Sequence, residues 1–128
     1  MEAWHAAVKI LCLENKNFFG GIERCEFSLD KLLCILKLGL IKPEHRYNYS
    51  PSVEVFYEFG KRAVKYNVSV EYIGFFESEY RKDARLVIEG IKVTNVPDSS
   101  EFIMDFAQTF HKADEFTANR NLLRAWYD

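Results

Sequence analysis

The chain has 128 residues, 48% apolar and 28% charged, with a formal net charge of −2. That balance belongs to a globular protein and excludes a disordered one. With no long basic stretch, it argues against a nucleic-acid partner.

The predicted elements run as follows. Trp4, Ala7, Val8 and Leu11 fall at helical spacing and predict a helix over about 2–13, with a strand through Val8, Ile10 and Cys12 as the alternative. The Asn-rich stretch up to Gly20 and Gly21 reads as a loop. Residues 22–27 alternate polar and apolar and predict a strand. Ser28 is a helix N-cap, and Asp30 lies where the positive end of the helix dipole favours it. Leu29, Leu32, Leu33 and Leu36 form one stripe, which Cys34, Ile35 and Leu38 widen. A helix apolar almost all round is central, so Leu32, Leu33 and Leu36 are expected to be buried. Gly39 suits a left-handed C-terminal cap, closed by Leu40.

A ring-rich connector follows, holding His45, Tyr47 and Tyr49. Ser50 then reads as the N-cap of a second helix, with Pro51 in its first position. Val53, Phe56, Tyr57, Gly60 and Val64 make its core face, and Val55 and Phe59 fall off that stripe.

Residues 68–77 and 86–96 are β-rich runs flanking a charged turn and predict an antiparallel hairpin. A register that keeps like charges apart sets Gly74 opposite Gly90. Two facing glycines would leave a dent on the sheet, fit for a packed ring or a ligand. Asp98 or Ser99 caps a third helix, buried through Phe102, Ile103, Phe106 and Phe110. Leu122, Leu123 and Trp126 predict a short last helix. The fold class is therefore α+β: a single domain over 1–128, with a small antiparallel sheet (hairpin 68–77/86–96 and a further strand at 22–27) packed on four to five helices.

The chain offers few residues in patterns that support catalysis or metal binding. Cys12, Cys25 and Cys34 lack zinc spacing and read as buried free thiols in a reducing compartment. The N-terminal stretch lacks signal-peptide features, and no run is long enough to span a bilayer, so a cytoplasmic location is expected. His111, Asp114 and Glu115 would share a face on a continuous helix and offer a metal or general-base trio, but the fourth ligand such a site needs is not apparent. Glu101 and Asp105 read as a solvated pair. Ser50 and Ser52 lack the context of a hydrolase nucleophile, and no glycine pattern cradles a phosphate. No catalytic residue, metal site or cofactor is assigned.

The candidate ligand-binding residues are His45, Tyr47, Tyr49, Gly74 and Gly90. The expected function is a non-catalytic protein-interaction or small-ligand-binding domain, taking a protein partner or a small apolar or aromatic ligand. The alternative is an enzyme with scattered site residues, such as a small hydrolase. A homodimer is also expected, because Ile35, Leu38, Val55, Phe59, Ile73 and Ile91 supply more apolar faces than a two-layer monomer needs.

Overall fold

The computed structural model describes residues 22–77 and 85–128. The expected helix over 2–13, Cys12 and the tip of the hairpin lie outside them. Strand β1 is Ile22–Phe27 and helix α1 Leu29–Lys37; helix α2, Val53–Ala63, runs into a 3-10 turn at Val64–Tyr66. Strands β2 (Ser69–Glu77) and β3 (Arg85–Thr94) form the hairpin. Helix α3 (Ser100–Thr109) and strands β4 (Glu115–Ala118) and β5 (Leu123–Trp126) complete the chain. The sheet is antiparallel throughout, in the order β1-β2-β3-β5-β4. Among the described residues no helix is long and apolar enough to cross a membrane.

The fold class is α+β with a small sheet, as expected, but among the described residues the α-helices number three, not four to five. The residues read as a last helix are strand β5 instead. Leu123, Ala125 and Tyr127 are buried while Arg124 and Trp126 are less so, a period of two and not of 3.6. The turn into β5 is fixed by Asn119, whose Oδ1 accepts from the backbone N–H groups of Asn121 (2.8 Å) and Leu122 (2.9 Å).

Helix caps follow the sequence closely at two places. Ser28 Oγ accepts from the Lys31 N–H, and Ser99 Oγ from that of Phe102. After α1, Gly39 has φ +75°, and the N–H groups of Leu40 and Gly39 bond to the carbonyls of Ile35 and Leu36, a Schellman cap. The cap of α2 is shifted: Ser52, not Ser50, stands before its first residue. Ser50 Oγ instead accepts from the Tyr47 N–H and donates to the Pro51 carbonyl.

One face of the sheet carries the core. Cys25, Phe27, Tyr72, Phe76, Leu86, Ile88, Ile91 and Val93 meet Leu32 and Ile35 of α1, Phe56, Phe59 and Ala63 of α2, and Phe102, Phe106 and Phe110 from the α3 segment. Leu33 and Leu36 are only half-buried, against expectation, because the inward face of α1 runs through Leu32 and Ile35. Phe59, read as lying off the core stripe of α2, is fully buried, while Val64 faces out. Cys34 is exposed, so only Cys25 of the two described thiols is buried.

The hairpin register also differs. From Ser69 to Ile73 the strands pair one residue away from the expected alignment, so that Glu71 faces Lys92 and Ile73 faces Gly90. Between Ile73 and Gly74 the register slips by one more, and Gly74 faces Ile88. Glu89 is therefore the extra residue of a β-bulge. The two glycines do not face each other.

Candidate functional site

The loop between α1 and α2 is folded tightly on itself. The Val53 N–H donates to the His45 carbonyl (2.9 Å) and the Glu54 N–H to that of Pro43 (2.8 Å). A turn closes from the Ser50 N–H to the Tyr47 carbonyl (2.9 Å), with Asn48 at φ +52°. Asn tolerates that left-handed conformation better than most residues. Its side-chain amide also reaches across to donate to the backbone carbonyl of Asp128 (2.9 Å), tying the loop to the end of β5.

This turn separates the three rings that the sequence offered together. His45 is half-buried behind the turn. Tyr47 packs edge-on against Phe75, with centroids 5.4 Å apart. Tyr49 alone is thrown out to solvent, 92% exposed. Gly74 and Gly90 are elsewhere, inside the sheet. A Cβ at Gly74 would stand 2.3 Å from the Val87 carbonyl oxygen, and one at Gly90 would stand 2.6 Å from that of Ala125. Neighbouring backbone already fills the expected dent, so the glycines serve strand packing.

Tyr49 stands on the rim of a cavity of about 400 Å³. The loop supplies one wall, including Arg46 and Asn48. The end of α3 and the turn after it supply the other, with Thr109, His111 and Lys112. Tyr127, just past β5, completes the lining. Thr109 is held in place: its hydroxyl donates to Asp105 (3.2 Å) and accepts from Arg62 (3.4 Å), and Arg62 grips both Asp105 oxygens (2.9 and 3.0 Å). That bidentate pairing raises the proton affinity of Arg62 further. His111 Nδ1 lies 2.9 Å from the Gln108 carbonyl. A carbonyl only accepts, so Nδ1 carries the proton and Nε2 is the nitrogen open to a ligand.

Tyr127 is 2% exposed, its ring edge-on to Phe56 at 6.2 Å. Burial, with the Asp114 carboxylate nearby, pushes its phenol up to about 12, so it remains a neutral hydrogen-bond donor.

The His111, Asp114, Glu115 trio does not form. α3 ends at Thr109, so the three no longer share a helical face. Asp114 Oδ2 accepts from the Asp128 N–H (2.8 Å), and Glu115 pairs with Arg124 (3.1 Å). Glu101 and Asp105 are likewise no unit, Asp105 being bound to Arg62. Among the described residues no group of His, Cys, Asp and Glu is arranged to hold a metal ion.

A second notable side chain lies on the far face of the sheet. Glu89 is 1% exposed and hydrogen-bonded to Arg24, with Trp126 as a further donor. Burial outweighs these partners and raises its carboxyl above the ordinary value.

Of the residues lining this cavity the sequence singled out Tyr49 and did not group it with Arg46, His111, Lys112 and Tyr127. Arg46 lay in the same ring-rich stretch. The others sit more than sixty residues away, and the packing of α3 on α2 together with the docking of β5 beside the loop brings them near. A scan against protein-family models, a search of curated proteins and a search of solved structures each found no match.

Proposed function

We propose that this domain is a non-catalytic binding module that holds a small ligand with aromatic character in the Tyr49 groove. The observation that carries the reading is the ring of Tyr49, fully presented to solvent by a braced turn at the rim of a cavity of small-molecule size. A ring at the mouth of a cavity offers a flat apolar face for a ligand to cover. Thr109, pinned by Arg62 and Asp105, and the loop, pinned by Asn48, make the walls preformed, which lowers the ordering cost of binding. The exposed thiol of Cys34 suits a reducing compartment, and a cytoplasmic location is part of the proposal.

The test is a fragment screen read by amide chemical shifts. Ring-bearing fragments should shift residues 46–51 and 109–112 together, and Tyr49→Ala should abolish the response while leaving the melting temperature unchanged. Fragments that gather on another surface, or ignore the loss of Tyr49, would defeat the reading. The rival, a small hydrolase, has its best support in Glu89, since a buried carboxyl with raised proton affinity is the kind of group that serves as a general acid.

A further inference from the structure

We infer that the groove takes a small molecule joining an anionic group, carboxylate or phosphate, to a flat ring: Arg46, Lys112 and the Tyr127 hydroxyl meet the anion, and Tyr49 meets the ring. The inference rests on the groove being a ligand site and names the class of ligand.

Three observations carry it. The first is charge. In this slightly acidic chain Arg24, Lys61, Arg62, Lys92 and Arg124 each pair with a carboxylate, whereas Lys37, Lys42, Lys65 and Arg120 form no ion pair with a described residue. Arg46 and Lys112 likewise have no such partner among the described residues, and these two share one cavity, on its opposite walls. Two unpaired cations facing one space raise the local concentration of anions there.

The second is a buried donor. Tyr127 is almost wholly covered and lines the same cavity, yet its hydroxyl has no hydrogen-bond partner among the described residues. Buried polar groups are nearly always satisfied, and one that is not calls for an explanation. Asp114, the carboxylate that acts on it, is engaged with the Asp128 N–H. An acceptor seated in the groove would supply the missing partner. The third is the ring of Tyr49, together with His111, whose Nδ1 is held by Gln108 so that its free nitrogen can face the ligand. Stacking on such rings adds affinity for a flat group that a bare anion cannot use.

The full chain is titrated with phenyl phosphate, benzoate, benzyl alcohol and inorganic phosphate, read by amide shifts. Phenyl phosphate, benzoate or both should saturate at residues 46–51 and 109–112, about tenfold tighter than benzyl alcohol and than inorganic phosphate. Which acid binds tighter identifies the anionic group. Arg46→Gln combined with Lys112→Gln should weaken the aromatic acids by about tenfold or more without changing benzyl alcohol. Tyr127→Phe should leave the melting temperature unchanged or raised, since the hydroxyl bonds to no described residue, and should still weaken the acids several-fold. Tyr49→Ala should bring phenyl phosphate down to inorganic phosphate.

If benzyl alcohol matches the acids, the anionic class is overturned while the groove stands as a site. If inorganic phosphate matches phenyl phosphate, the ring requirement is overturned. Saturable binding that ignores all of these substitutions overturns the site itself. Failure of both acids to saturate by about 10 mM overturns the inference, because affinities weaker than that carry no recognition.

Discussion

Glu89 shows what a single residue gains and loses by its place in the sheet. As the extra residue of a bulge it is left out of the ladder, and its carbonyl instead accepts from the Tyr127 N–H (2.7 Å). Its side chain is removed from water with Arg24 and Trp126 as partners, and burial dominates, raising the carboxyl. A raised value means that the folded chain binds the proton more tightly than the unfolded chain does. The stability linked to Glu89 is therefore fully present below the ordinary carboxyl range and is lost as pH rises through the folded value. Glu89→Gln, which stays neutral, should lack this loss. In urea titrations across mildly acidic to neutral pH, the stability of Glu89→Gln relative to wild type should rise with pH. A difference that falls with pH would mean that the pair with Arg24 outweighs the burial.

At the scale of elements, α2 meets β2 through one close contact. Tyr72 Oη donates to the Phe56 carbonyl (2.8 Å), and its ring lies over Gly60. A Cβ on Gly60 would stand 2.1 Å from that oxygen and 2.9 Å from Leu29 Cδ1. Two effects oppose each other in Gly60→Ala. Removing glycine from a helix interior gains about 1 kcal/mol. Overpacking costs about 1–3 kcal/mol, and Tyr72 can retreat only by giving up a buried hydrogen bond worth about 1 kcal/mol. The substitution should therefore destabilise the protein, and should destabilise it less in a Tyr72→Phe background. Equal effects in both backgrounds, read by chemical denaturation, would show that the hydroxyl is not the obstacle. Gly60 was legible in the sequence as part of the buried face of α2, and so were the caps of α1 and α3 and the strand at 22–27, because each is set by neighbours within a few residues. The β5 strand was missed because Leu122, Leu123 and Trp126 also fit a helical face, and the decisive cue was the turn chemistry of Asn119. The bulge was missed for another reason. Keeping like charges apart admits several registers, and the observed one does better by setting Glu71 against Lys92. Of the groove, only the local half could be read, since the other half depends on how α3 packs on α2 and how β5 docks.

For the whole molecule the open quantity is self-association. Ile35, Phe59 and Ile91, three of the residues that suggested a homodimer, are fully buried within one chain, where they serve the ring-rich core. Trp126 is half-buried and Tyr127 packs on Phe56, so the chain end is held by its own fold. The far face of the sheet is partly polar, with Lys92 paired to Glu26 (3.1 Å) and Arg124 to Glu115. Besides Tyr49, the large apolar side chains exposed among the described residues are Val64 at 67% and Met104 at 57%, with Leu38 and Phe116 less so. Scattered apolar side chains of this kind are ordinary on a surface, and a stable dimer needs about 800 Å² of complementary surface per partner. The proposed homodimer should therefore be weak. In sedimentation equilibrium the 15.0 kDa monomer should dominate at about 10 µM, with the average mass rising toward twice that value only at hundreds of micromolar. Val64→Lys and Met104→Lys should each suppress that rise, because a charge at a small interface is left without water or a partner. A single dimeric species already at the lower concentration would mean an interface larger than these residues provide. A mass fixed at the monomer value throughout would remove the homodimer altogether.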